Sequence, residues 1–307
     1  MINLNNKIEE LRPWRYNHYH NNELVIKSNP YGQNDPSDHH TKYGIVILKH
    51  ILNIISKQNS NFREFRVLDL GCLEGHYSDI LCSFKFKEVV SIDLSEPHIA
   101  RAKFLLQELK QYNNSTVLQG NVLDQNFMSS LGKFDLIFFH GLLYHLTSPV
   151  MIFEIIEKLI NKKDSFYLLL GHQFHMNYGN MLQSLPVAEI KSRHSKPDDG
   201  LASKFDGVSM RLNIAALYLI LQSYGYNGMI AYDAPLTKRK YKKRDIQIVL
   251  SKTKNNTFLE KLNDKNPFPK CKFYFWKGHS INNLKIINSP IRFIYRVLNR
   301  LSTEIGK

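Results

Sequence analysis

Cysteine is scarce in this chain: its 307 residues contain three, Cys72, Cys82 and Cys271. An odd count without metal-ligand spacing argues against a disulfide framework and against a metal site. No secretory signal precedes the cysteines, so a reducing cytoplasm is expected. Long apolar runs are missing too. The best attempt, Ile45 to Ile55, is interrupted by Lys49, His50 and Asn53, and falls short of the roughly 18 apolar residues of a spanning helix. Acidic residues are in deficit, 27 against 41 lysines and arginines, for a net charge of +14. That excess has two readings: a nucleic-acid partner, or a lysine-rich surface that is merely solvated. There is no internal repeat. What is present is a 43% hydrophobic fraction, ample for the core of one domain with additions.

The most informative stretch is residues 67–78, Val-Leu-Asp-Leu-Gly-Cys-Leu-Glu-Gly-His-Tyr-Ser. A short apolar run from Phe65 to Leu70 stops at Gly71, and Gly75 follows. This is the layout of a buried strand turning through a tight loop into a helix, with glycine where a ligand must approach bare backbone. Val89 to Leu94 reads as a second strand ending in Asp93. An acidic residue about 20 positions after such a loop lies at the tip of the neighbouring strand, where it accepts both ribose hydroxyls of a nucleoside ligand. Leu94 follows it into the same site. Thr116 to Asp124 reads as a third strand closed by a polar turn, with Asn121 set to meet an adenine edge.

A nicotinamide dinucleotide shares this outline, but two residues argue against it. Leu73 fills the middle glycine position of G-x-G-x-x-G, and Glu74 would set a negative charge beside a pyrophosphate, where bare N–H groups are wanted. S-adenosylmethionine carries an ammonium and a sulfonium and no phosphate, so Asp69 and Glu74 suit it. The V-L-D-L-G-C-x-x-G core, Asp93 and the G-N-x-x-D turn together resemble the class I S-adenosylmethionine-dependent methyltransferases over residues 65–124. Leu73 departs from the glycine many members carry. The resemblance implies S-adenosylmethionine as cofactor, with Asp69, Gly71 and Gly75 at its methionine end, Asp93 at the ribose and Asn121 at the adenine.

The second half continues the pattern. Lys133 to His140 is a continuous aromatic and β-branched strand. Ser148 is placed to cap the following helix, Val150 to Ile160, with Pro149 at its first position. Ser165 to Leu170 is a fifth strand, Ala215 to Tyr224 a later helix, and Gly228 to Ala231 with Asp245 to Leu250 a final antiparallel pair. Alternating strands and helices predict an α/β doubly wound, mainly parallel seven-stranded sheet, Rossmann-like, whose ligands gather at the carboxyl ends of the strands. His140 falls at such an end and is expected to line the donor pocket.

Gly141-Leu142-Leu143-Tyr144-His145-Leu146-Thr147-Ser148-Pro149 and Leu11-Arg12-Pro13-Trp14-Arg15 narrow the likeness. Both are similar to segments of the subgroup that includes the tRNA wobble-uridine carboxymethyltransferases. The resemblance implies that Tyr144 helps hold the donor. Tyr16 stands where that subgroup has a lysine, so its carboxymethyl chemistry does not carry over. For a hydroxyl acceptor a nearby base is useful. His145 is the first candidate because an imidazole titrates near neutrality; the alternative is a capping or packing histidine. His172 and His175 follow the fifth strand and are further candidates.

Expected organisation is an N-terminal extension over 1–44, a methyltransferase domain over 45–252 and a basic C-terminal extension over 253–307. Within the domain, 172–211 is long and poor in regular pattern and reads as an acceptor-side lid, bringing Arg193, His194 and Arg211 towards the acceptor. Lys238 to Arg244 is a basic cluster that either grips phosphates or keeps a hairpin tip soluble. Ser289-Pro290 opens a C-terminal amphipathic helix in which Arg292, Arg296 and Arg300 form one edge. Such a helix docks on its own domain or a partner, or lies peripherally on an anionic membrane. The expected activity is methyl transfer to a hydroxyl on a sugar, glycan or other small metabolite. Rivals are a tRNA-modifying methyl- or carboxymethyltransferase, a non-catalytic S-adenosylmethionine-binding protein and a nicotinamide dehydrogenase.

Overall fold

The computed structural model describes residues 4–28, 37–146, 148–161, 166–175, 188–193, 207–212, 214–226, 228–233, 243–251 and 273–277. The leading elements are α1 (Leu4–Glu10), β1 (His18–His20), β2 (Glu23–Ile26) and α2 (Ser37–Gln58). Alternation then sets in: β3 (Arg66–Leu70), α3 (His76–Ser83), β4 (Glu88–Asp93), α4 (Glu96–Lys103), β5 (Ser115–Gln119), α5 (Gln125–Ser130), β6 (Leu136–His140), α6 (Pro149–Leu159) and β7 (Tyr167–His175). The remaining elements are β8 (Ala188–Arg193), β9 (Gly207–Leu212), α7 (Ile214–Ser223), β10 (Gly228–Asp233), β11 (Lys243–Ser251) and β12 (Phe273–Lys277).

Eight strands form the main sheet, in the order β12-β10-β11-β7-β6-β3-β4-β5. The five from β7 to β5 are parallel. β11 runs antiparallel to β7, β10 to β11 and β12 to β10. From β3 the chain winds out through β4 and β5, then returns to place β6 on the other side of β3. This reversal leaves a crevice above the carboxyl ends of β3, β4 and β6, where ligands of doubly wound sheets bind.

Period-2 alternation assigns the core. Leu68, Leu70, Val90, Ile92, Ile137, Phe139, Leu168 and Leu170 pack on one face with Phe153, Ile156, Leu217 and Leu221. Val67, Val89, Leu136, Phe138, Tyr167 and Leu169 pack on the other with Ile51, Leu52, Ile55 and Leu81. Both faces are apolar because both are covered by helices, which explains why these strands read as unbroken hydrophobic runs.

Three expectations need amendment. The sheet has eight strands instead of seven: Phe273–Lys277 pairs with β10 and covers an edge that would otherwise offer unpaired backbone groups. The 172–211 segment is not without regular structure. β7 extends to His175, and β8 pairs antiparallel with β9, Glu189 opposite Arg211. Ser148 precedes α6 as expected, with Pro149 first in the helix, but makes no side-chain capping bond. His194, residues 238–242 and the C-terminal helix expected from Ser289 onward lie outside the described residues.

The leading segment shares the domain's core. Trp14 is fully buried, packs with Ile8, Ile26, Ala102, Phe104 and Leu105, and donates from Nε1 to the Ile8 carbonyl at 3.0 Å. Trp14→Ala removes this aromatic anchor and is expected to cost roughly 3–5 kcal/mol, read as a lowered midpoint in urea unfolding. An unchanged midpoint would show that residues 4–28 are energetically separate from the domain.

Candidate functional site

The site begins where β3 runs out of apolar residues. Gly71 and Gly75 both have left-handed backbone, φ +75° and +85°, which a side chain opposes. The N–H groups of Gly71 and Cys72 both donate to the Ile92 carbonyl at 2.9 Å, tying the loop to β4. A Cβ on Gly71 would come within 3.0 Å of Leu142, and one on Gly75 within 3.2 Å of Leu106. The loop is thus clamped between the segment after β6 and the π-helical continuation of α4 (Phe104–Leu109). Leu73 takes φ +49°, so its backbone adopts the left-handed conformation that glycine favours.

Asp93 closes the tip of β4 and is 6% exposed. Its Oδ2 accepts from the Leu73 N–H at 2.9 Å. Its Oδ1 accepts from the Ser95 N–H at 2.9 Å and lies 3.1 Å from Nδ1 of buried His98. With the proton on Nδ1, three donors converge on a group with about four acceptor positions. One position remains, where the sequence alone had suggested two for ribose hydroxyls. Leu94 beside it is 56% exposed, an apolar shelf at the strand tip. Asn121 is exposed, and its Oδ1 accepts from the Leu123 N–H at 2.9 Å, so its side-chain carbonyl holds the turn.

Asp69 lies inside the loop, buried, accepting from Ser78 Oγ at 2.6 Å. Burial pushes its carboxyl up to about 7; the Ser78 bond opposes this and the Asp93 charge adds to it. The same burial and the same two carboxylates push the Cys72 thiol well up, so it stays protonated.

Glu74 is the residue that sequence reasoning misassigned. Its charge suits a nearby cation, yet its carboxylate is 1% exposed and turned to the leading segment. It accepts from the N–H groups of Arg15 (2.8 Å) and Tyr16 (2.7 Å) and lies 3.1 Å from His18 Nε2. Residues 15–18 are thereby strapped across the loop. The Tyr16 ring stacks on His76 with centroids 4.4 Å apart, and His18 meets His76 edge-on at 5.6 Å. The signal for this was Pro-Trp-Arg-Tyr together with a carboxylate in a loop that lacks its own donors.

His140 at the tip of β6 lies opposite Gly171 of β7, and its ring packs against the Gly171 backbone. Its centroid is 4.6 Å from Tyr77. Tyr144 and His145 form a 3₁₀ turn, half-buried, with rings 4.4 Å apart. Through Leu142 this turn packs on Gly71. The fold therefore gathers Asp69, Gly71, Gly75, Asp93, Leu94, His140, Tyr144 and His145 around one end of the parallel strands, with Asn121 just beyond β5. His172 and His175 sit on β7, Arg193 and Arg211 on β8 and β9; their side chains lie outside what is described. Among the described residues no group of three His, Cys, Asp or Glu side chains is placed to hold a metal ion.

Residues 61–198 match the family model described as a methyltransferase domain. That stretch is similar to methyltransferase domains, and it holds β3 to β7 with the glycine loop and Asp93. The chain is 26% identical over 160 residues to the tRNA U34 carboxymethyltransferase of Campylobacter lari, and 26% over 162 residues to that of Campylobacter jejuni. Each alignment covers 52% of this chain and 48% of the relative, so the chain spans about half the length of the curated relatives it matches. Among solved structures, the N-terminal domain of EvdMO1 in the presence of SAH and D-fucose superposes with a TM-score of 0.56 at 18% identity, covering 80% of this chain and 94% of that one. The same domain with SAH bound gives 0.55. At that identity the likeness establishes the fold.

The raised carboxyl of Asp69 has a stability consequence in ligand-free protein. Its folded value of about 7 exceeds the ordinary unfolded value, so its contribution is full below about pH 4 and is lost as pH rises through about 7. Asp69→Asn removes that loss. The variant is expected to melt several degrees above the parent at pH 8 and to show a smaller fall in melting temperature between pH 5 and pH 8. Parallel curves for the two proteins would refute the assignment.

Proposed function

We propose that the chain transfers the methyl group of S-adenosylmethionine to a hydroxyl of a sugar or another small metabolite. When bound, the donor supplies a methyl group already activated on sulfur. The chain's own residues then have to bind, orient, exclude water and move a proton. Asp69 suits an ammonium, Asp93 has one acceptor position for a ribose hydroxyl, and Leu94 with the Asn121 amide suits an adenine. Gly71 and Gly75 bring backbone close to the methionine end, and His140 lines the same pocket.

The observation that carries the acceptor class is the composition of the crevice wall. At the end of β6 Tyr77 packs on His140 and, in the turn that follows, Tyr144 on His145, aromatic and hydrogen-bonding groups of a kind suited to the faces and hydroxyls of a sugar. The structural likeness to a domain studied with SAH and D-fucose supports the same reading. His145 receives the acceptor proton as the acceptor oxygen takes the methyl, the C–O bond forming as the C–S bond breaks and the neutral thioether leaves, and Tyr144 holds the donor in register. Cys72 and Cys82 are buried free thiols, in keeping with work in a reducing cytoplasm. The domain takes in 45–252, with 172–211 covering the acceptor; the basic tail meets a partner or an anionic surface.

A second reading, modification of a tRNA wobble uridine, is favoured by the names of the Campylobacter relatives and by the net charge of +14. Transfer of labelled methyl from S-adenosylmethionine to D-fucose, to a panel of sugars and to bulk tRNA separates the two. Sugar methylation is expected to vary little between 50 and 200 mM salt, whereas tRNA methylation would fall by orders of magnitude through counterion release. In the same assay His145→Gln is expected to lower kcat about 10²-fold while calorimetry finds S-adenosylhomocysteine binding unchanged. Undiminished turnover would remove His145 as the base. Asp93→Ala is expected to abolish measurable S-adenosylhomocysteine binding; retained affinity would defeat the donor-site reading itself.

A further inference from the structure

His98 is the third residue of α4 and is 2% exposed. Its ring reaches back along the chain to the tip of β4, where Nδ1 lies 3.1 Å from Oδ1 of Asp93. The proton belongs on that nitrogen. A bare one would turn its lone pair on a carboxylate oxygen in a place with little water to screen the repulsion. The same oxygen also accepts from the Ser95 N–H at 2.9 Å.

A carboxylate oxygen has two lone-pair positions. On Oδ1 of Asp93 both are taken, one by Ser95 and one by His98. On Oδ2 the Leu73 N–H takes one and the other is open. The two hydroxyls of a ribose are neighbours on the ring, and a carboxylate holds both only when each of its oxygens keeps a position open. Asp93 cannot turn to offer a second one. Turning would break three bonds to an ionised acceptor, each roughly twice as strong as a bond between neutral groups. Two of the three donors are backbone N–H groups, which almost any residue at 73 and 95 supplies. The third depends on the side chain at 98. An apolar residue there would leave Oδ1 half open.

From this geometry we infer that His98 is a positioning residue that restricts Asp93 to one hydroxyl of the donor's ribose. It acts through Asp93 and not on the ligand itself. The second hydroxyl then contributes nothing through this carboxylate, and a donor lacking it is still accepted. This rests on the donor reading above and adds a selectivity to it.

The test compares S-adenosylhomocysteine with its 2′-deoxy and 3′-deoxy analogues by calorimetry on the full chain. In the unmutated protein one analogue is expected to bind about tenfold more weakly than the parent ligand and the other within about twofold. His98→Leu opens a position on Oδ1, so the tolerated analogue should now fall about tenfold behind the parent ligand as well. His98→Asn, whose side-chain N–H replaces that of the ring, is expected to keep the unmutated pattern. A histidine that merely held α4 in place would shift all three ligands by one factor and leave their ratios unchanged in His98→Leu, which overturns the inference. So does an unmutated protein that discriminates against both analogues alike, or against neither. Failure of the unmutated protein to bind any of the three would instead bring down the donor reading.

Discussion

The carboxylate of Asp93 is the joint on which the site turns. It receives N–H groups from the glycine loop (Leu73) and from the turn after β4 (Ser95) and, with the proton on Nδ1, from the ring of His98 in α4. Hydrogen bonds to an ionised acceptor are roughly twice as strong as neutral ones, and here three of them fix three separate elements to one point. The loop that follows β3 is held at this height above the sheet, which in turn sets where Asp69, Glu74 and His76 lie.

A second carboxylate extends the construction outward. Glu74 leaves the loop on the opposite side and captures two backbone N–H groups and a histidine from the leading segment. That segment is anchored from beneath by Trp14. Asp69, Glu74 and Asp93 are thus three buried acids within a few residues' reach. Glu74 and Asp93 are supported by N–H donors, and Asp69 by a hydroxyl, with burial still raising its proton affinity. With Glu74 taken up by the leading segment, Asp69 and Asp93 are the acids left at the loop, and they favour a ligand that brings positive charge of its own, since opposite charges attract strongly where water is excluded. A donor with an ammonium and a sulfonium meets that condition; a pyrophosphate does not.

Much of this was legible in the sequence. The five parallel strands show as apolar runs because both of their faces are covered, and Gly71 and Gly75 show because left-handed backbone has few other occupants. Asp93 could be placed at a strand tip from its distance to the loop. Its partners could not, since Ser95 and His98 come from the next turn and helix and Leu73 from another loop. Glu74 was legible as a charge and misread in direction, because the segment it holds lies some sixty positions earlier. β12 and the β8–β9 pair were hidden for a related reason. Short strands at a sheet edge or in a two-stranded pair carry a weak pattern, and a neighbour distant in sequence completes them.

The sequence by itself determined the winding of the sheet, the place where the chain turns back, and the residue types that gather at the strand ends, because hydrophobic periodicity and glycine placement act locally. The tertiary structure alone decided how those residues divide their hydrogen bonds. It turned Glu74 towards the strap and filled all but one acceptor position of Asp93. Each outcome depends on which donors and acceptors from remote parts of the chain arrive within about 3 Å, and no local pattern carries that information.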